Sequence, residues 1–218
     1  MYIRTITLPA VSLALALLQC ACAPSGEDGG KNAPTARIAA SPAPHASAAG
    51  GYTDSPWGFH MDAPPGWKIR HDFTHEYLAN DSWKTYAAPD SRGTAVVSLT
   101  LPGSNEITSA EIRVGASRDA REIAQCTEPP DSFRAGSLHH ERIGDIDFTA
   151  FDAADAAMSH YLDVHGYRAL HDGACYAIDL LVYGTNPQVY DPPAMPPFSK
   201  EQATARMMPV LRTFRFMR

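Results

Sequence analysis

The chain has little to span a membrane with, no surplus of positive charge, and none of the short motifs that mark common catalytic sites. Its longest apolar stretch, Leu8 to Leu18, runs for about eleven residues, and a helix of that length cannot cross a hydrocarbon core of about 30 Å. A removable signal fits that length and its flanks better than a permanent transmembrane anchor. Lys and Arg number 18 against 24 Asp and Glu, so the formal net charge is −6. Without a basic stripe the chain has no electrostatic footprint for nucleic acid and no polybasic route to anionic lipid. There is no G-x-S-x-G, H-E-x-x-H, P-loop, G-x-G-x-x-G or EF-hand pattern, and no internal repeat. No catalytic residue, metal or cofactor is therefore expected. Cysteine is scarce as well: Cys20, Cys22, Cys126 and Cys175 are all there are, and the spacing of the last two excludes a C-x-x-C redox pair.

What is present begins at the N-terminus. Arg4 supplies a positive n-region, Leu8 to Leu18 an apolar h-region, and Cys20 and Cys22 follow at the depth where a signal peptidase cuts. This order resembles a bacterial lipoprotein export signal, in which the cysteine thiol is fatty-acylated and becomes the new N-terminus. Cys20 has Leu17 three residues before it but Gln19 immediately before it. Cys22 has Ala21 immediately before it but Gln19 three residues before it. Cys20 is the expected lipidation site, with Cys22 the alternative. Residues 1–19 are then the signal. Cleavage after Ala21-Cys22-Ala23 would instead give a soluble periplasmic or secreted protein, although Pro24 disfavours that cut. With Ala21 rather than an aspartate after Cys20, the resemblance implies the periplasmic face of an outer membrane, held by the lipid.

Residues 20–50 carry the acylated cysteine and a run of Ala, Pro, Gly and Ser with almost no apolar bulk. Such a composition cannot offset chain entropy, so a disordered tether is expected. About 28 flexible residues at roughly 5–6 Å × √n reach some 30 Å. Residues 51–218 remain, a size that suits one domain with its own core. In an oxidising compartment Cys126 and Cys175 are expected to form a disulfide; two buried thiols that never meet are the alternative.

Within the domain, Trp57–Met61 and Trp67–Phe73 read as strands split by Pro64-Pro65-Gly66, and Trp83–Ala87 as a third. Thr94–Leu101 alternates clearly, and Glu111–Val114 continues the pattern. Ser117 is placed to cap a helix over Arg118–Cys126, ended by Pro129-Pro130. Ser137–Ile143 and Ile146–Phe151 flank a Gly144-Asp145 turn, and Ala153–Met158 reads as a connection bracketed by Asp152 and Asp155. The long strand His160–Leu170 then turns at His171-Asp172-Gly173 into Cys175–Tyr183, where Tyr176, Ile178, Leu180 and Val182 make one apolar face. Ser199 with Gln202 forms a capping box for a C-terminal helix, which Pro209 should kink. The order predicts an α+β domain with an antiparallel sheet packed against helices.

Pro65-Gly66-Trp67 before a strand, Tyr167-Arg168 with Gly173-Ala174-Cys175-Tyr176 in a late hairpin, and Val210 to Phe216 at the close resemble the PsbP/Mog1-like layout of bacterial envelope proteins. The resemblance spans most of residues 52–216. It implies a curved antiparallel sheet sandwiched by helices, and a binding or assembly module without a shared catalytic site.

Two regions are candidates for function. On strand His160–Leu170, Tyr161, Asp163, His165 and Tyr167 share one face, whereas His160 and His165 fall on opposite faces and cannot chelate one ion. An enzyme or small-ligand site there would use that stripe, and a zinc site would need His139 or Glu141 from another strand. Paired carboxylates such as Asp145 with Asp147, or Asp152 with Asp155, read as turn and cap residues. The second region is the loop Gly184–Phe198, stiffened by five prolines and carrying apolar anchors at Tyr183, Tyr190, Met195 and Phe198. Long loops of this kind either recognise a partner or pack down over a sheet edge. The expected partners are the membrane, through the lipid, and an envelope protein bound non-enzymatically.

Overall fold

Alternating apolar and polar residues build two antiparallel sheets, seen in a computed structural model that describes residues 50–217. The expectations placed on the export signal, on Cys20 and Cys22, and on all of the tether before Gly50 lie outside the described residues. The smaller sheet has the order β1 (Gly51–Asp54), β2 (Phe59–Asp62), β10 (Arg215–Phe216). The larger has seven strands: β3 (Lys68–Arg70), β4 (Thr94–Thr100), β5 (Thr108–Ser117), β9 (Ala174–Thr185), β8 (His160–His171), β7 (Ile146–Ala157) and β6 (His139–Ile143), in that spatial order. Two helices, α1 (Ala120–Ala124) and α2 (Lys200–Leu211), complete it. The described residues are mostly β, and the α+β expectation holds in its coarser form: an antiparallel sheet packed against helices in one unit. Among them no helix is long and apolar enough to cross a membrane.

One face of the large sheet carries the main core. Ile112 stands opposite Leu180 and Val114 opposite Ile178, so β5 and β9 put a continuous apolar surface under α2 and the small sheet. Phe59, Met61 and Phe214 come from the small sheet and its approach, and Ala203, Met207, Val210 and Leu211 from α2. Each large side chain buried this way contributes about 1.5–3 kcal/mol. Ser199 and Gln202 make the expected reciprocal capping box at the start of α2, and Pro209 lies inside the helix two residues before its end.

The opposite face is held by charge. Glu111 and Arg113 on β5, Asp179 on β9 and Arg168 on β8 are all buried there. Arg113 Nε donates to Glu111 at 2.6 Å, Arg168 Nη1 donates to Asp179 at 2.6 Å, and Arg113 stands opposite Asp179 in register. The four formal charges sum to zero. What they hold is the long irregular segment 71–93, which lies across this face. Arg113 donates to the carbonyls of Thr74 at 2.8 Å and Asn80 at 2.6 Å, and Asp179 accepts the Thr85 N–H at 2.8 Å. At Gly115 a side chain would force the Trp83 backbone to move, because a Cβ would stand 1.7 Å from the Trp83 carbonyl oxygen. Cys126 and Cys175 form a disulfide that ties the segment after α1 to β9, beside Trp83.

Three sequence expectations are corrected. Trp83–Ala87 is not a strand: Tyr86 has a left-handed φ of 59° and the segment bonds to buried charges instead of to a neighbouring strand. Ala153–Met158 is not a connection, since Ala153–Ala157 extends β7 as far as the Met158-Ser159 turn. The small alanines hid the strand by removing its apolar alternation. The cap of α1 is Asp119, whose carboxylate accepts from Arg121 N at 2.9 Å; Ser117 ends β5 and gives its hydroxyl to Arg92 O.

Candidate functional site

The β8 stripe is divided by α2. Tyr167 is buried in the core, edge-on to Phe148 and with its hydroxyl on Met208 Sδ, and burial holds its phenol well above the ordinary tyrosine value. It cannot reach a ligand. Tyr161 bonds Thr108 Oγ1 at 2.7 Å and lies under the Lys200 ammonium, 4.6 Å from the ring centre. Asp163 pairs with Lys200. His165 Nδ1 meets Asp152 Oδ1 at 2.6 Å, because Asp152 on β7 stands opposite it in register. Asp163, His165, Asp152, Lys200, Arg134 and Thr204 line one open groove of about 620 Å³ beside α2.

A carboxylate on Nδ1 orients an imidazole so that its other nitrogen can serve as a base or ligand. Among the described residues, however, no hydroxyl or thiol bonds that second nitrogen, and Asp152 is the only side chain bonded to the ring. His139 and Glu141 sit on β6 and pair with each other at 3.7 Å. Among the described residues no three His, Cys, Asp or Glu side chains converge as a metal site. Asp145 and Asp147 are exposed at their turn, and Asp155 bonds its neighbour's N–H at Ala156.

The proline-rich loop packs at its two ends and leaves its middle exposed. Its ends pack: Phe198 is buried in the main core, and Tyr183 is half-buried against Leu181, Phe151 and their neighbours. Burial, with Glu111 nearby, holds the Tyr183 phenol above its ordinary value. The middle is displayed. Met195 is 89% exposed, Val189 53% and Tyr190 37%. The loop is fixed by its backbone, through Asn186 N to Ser159 O at 2.7 Å, a 3-10 turn over Pro187–Val189, and Ala194 N to Pro187 O at 3.1 Å.

Tyr183 and Tyr190 also wall a cleft of about 520 Å³ that the sequence reading did not foresee as a unit. Its other walls are Glu76, Tyr77 and Leu78 from segment 71–93, Asn105, Glu106 and Ser109 from the β4–β5 turn and the start of β5, and His160 and Tyr161 from β8. Tyr77 stacks on His160 with ring centres 4.5 Å apart. Phe198 and Met195 do not line it. The signal available in the sequence was the tyrosine-rich ends of two neighbouring strands; Tyr77 gave none, because it arrives on an irregular segment.

No family model matches the sequence, and a search of curated proteins returns no match. Among solved structures the fold is similar to a Bacteroides thetaiotaomicron VPI-5482 protein at 11% identity and a TM-score of 0.41, over 78% of this chain and 48% of that one. This chain thus spans about half the length of that protein. It is similar to PsbP (CyanoP) from Synechocystis sp. PCC 6803 at 9% identity and a TM-score of 0.41, over 76% of this chain and 91% of that one.

Proposed function

We propose that the protein is a lipid-anchored envelope module, built on a PsbP/Mog1-like layout, that binds an envelope partner non-enzymatically through the sheet end bearing the loop Gly184–Phe198. The observation that carries this reading is the loop's division of labour. Tyr183 and Phe198 are anchored, while Val189, Tyr190 and Met195 stand exposed on a backbone already fixed by its own hydrogen bonds. A stiff loop with apolar side chains on display loses little conformational entropy when a partner covers it, and such a group of exposed side chains is a common mark of an interaction site.

The test places a photo-crosslinking residue at Val189, Tyr190 or Met195 in living cells, with exposed Leu138 as the control position. One discrete adduct from the loop positions and none from Leu138 supports the reading; equal or absent adducts reject it. The anchor is tested separately: Cys20→Ala should abolish labelling by palmitate and move the protein from the membrane to the soluble fraction. Labelling lost only in Cys22→Ala would transfer the anchor to Cys22.

A second reading, hydrolysis or small-ligand binding in the groove beside α2, is favoured by the short Asp152–His165 contact. It predicts a turnover or ligand affinity that His165→Gln abolishes while leaving the unfolding midpoint in place.

A further inference from the structure

The cleft behind Tyr190 has an unusual lining for its size. Tyr77, Tyr183 and Tyr190 line it together with His160 and with Glu76 and Glu106, whereas the Tyr161 ring turns to the other face of β8, under Lys200. No Lys or Arg lines it. Arg113, which holds Thr74 O and Asn80 O beside the Glu76–Tyr77 wall, is itself paired with Glu111, and Lys200 is paired with Asp163 on the other sheet face. Aromatic faces carry negative quadrupole density and attract an organic cation, most strongly where water is displaced. The two carboxylates give the site a net negative field. Apolar ligands gain nothing from Glu76 and Glu106, and anions are repelled by them.

We propose that this cleft binds an alkylated ammonium group, of the kind carried by choline. The proposal rests on the reading of this end of the molecule as the recognition surface, and it names the chemistry recognised there. The same head group occurs free in solution and on zwitterionic lipid.

The experiment titrates the purified protein with choline and with its neutral tert-butyl analogue, following backbone amide shifts around Tyr77, Tyr183 and Tyr190. Choline is expected to bind about tenfold or more tightly than the neutral analogue, which has the same shape without the charge. Tyr190→Leu should weaken choline about threefold or more, Tyr190→Phe should retain it, and Glu76→Gln should weaken it while leaving the analogue unchanged. Tyr190 is on the surface, so these variants keep the fold. Vesicles of phosphatidylcholine and of phosphatidylglycerol form the second arm. Choline-dependent retention identifies a lipid source, and binding of soluble choline alone identifies a solute; either supports the ammonium chemistry. Equal affinity for choline and the neutral analogue, with no preference between vesicles, overturns it. Because the titration needs no partner, loop crosslinks in cells without any choline preference would overturn this inference alone. Choline binding without crosslinks would support it while rejecting the protein partner.

Discussion

Replacing Arg168 with methionine tests whether the buried charges of the second sheet face act as a unit. The side chains of Arg168 and Asp179 are 4% and 2% exposed, and they meet at 2.6 Å. Methionine is close in length and keeps contact with the Phe151 ring, over which the guanidinium now lies at 5.0 Å. What is lost is the charge that neutralises Asp179, leaving a buried carboxylate bonded only to the Thr85 N–H. Breaking one side of a buried ion pair costs about 3–5 kcal/mol. Asp179→Asn should cost a similar amount, since it strands the guanidinium instead. The double variant returns the network to zero net charge and keeps an acceptor for Thr85, so it should fall within about 2 kcal/mol of wild type, far from the sum of the singles. Urea unfolding followed by far-ultraviolet circular dichroism measures all four proteins. A single variant costing under about 1 kcal/mol, or a double variant as unstable as the two singles added together, would refute the idea that neutrality of the ladder holds this face.

Other outcomes follow from named contacts. Gly115→Ala should destabilise by about 1–3 kcal/mol, because the new methyl displaces the backbone of Trp83; Trp83, now 3% exposed, should then emit at longer wavelength. Reducing the disulfide Cys126–Cys175, whose sequence separation is 49, should cost about 4 kcal/mol in the chain-entropy model, read as a lower urea midpoint in reductant. Glu122 is raised by burial, but the hydrogen bonds from Lys84 and Ser91 outweigh this and its carboxyl lies below the ordinary value. A depressed folded value means stability that is present above the unfolded carboxylate range and lost as pH falls through the folded one. Wild type should therefore exceed Glu122→Gln in urea midpoint at neutral pH and converge on it in acid; a gap that persists in acid would contradict the sign.

The parts of the fold that were legible in the sequence are those with uninterrupted periodicity or a local cap. Tyr176 to Val182 and Ser199 with Gln202 were read directly because each depends on residues within one element. Ala153–Ala157 was missed, since alanine on both faces gives no alternation, and its status as strand depends on pairing with β8. That pairing had a consequence for the groove beside α2. Counting back from the Met158-Ser159 turn places Asp152 opposite His165, an arithmetic available only once the alanines are in the strand. Segment 71–93 was illegible for a different reason. Its conformation is set by charges on distant strands, Arg113 and Asp179, which in sequence look like solvated residues on a sheet face. Of the proposed loop anchors, Phe198 and Tyr183 pack, and only Tyr190 and Met195 are displayed; hydrophobicity alone cannot separate the two fates.

The buried charges of β5, β8 and β9 link stability to the end of the molecule proposed for recognition. Arg113 donates to Thr74 O and Asn80 O, and these two carbonyls bracket Glu76 and Tyr77, the wall of the cleft supplied by segment 71–93. The turn between them closes on itself through Glu76 N to Ala79 O at 2.7 Å. On the other side Asn186 N to Ser159 O fixes the start of the proline-rich loop against the β7–β8 turn. Neither wall belongs to a regular strand or helix, yet both are bonded to the sheet through their backbones. The guanidinium of Arg113 is thus both a counter-charge and a clamp: with its charge neutralised by Glu111, its two remaining nitrogens are free to hold carbonyls. A cleft assembled this way has its ordering cost met in folding instead of in binding, which is the physical condition for irregular segments to recognise anything tightly. Loosening the clamp should therefore weaken the proposed ammonium binding at Tyr77 before it disturbs the core under α2, because the two lie on opposite faces of the same strands.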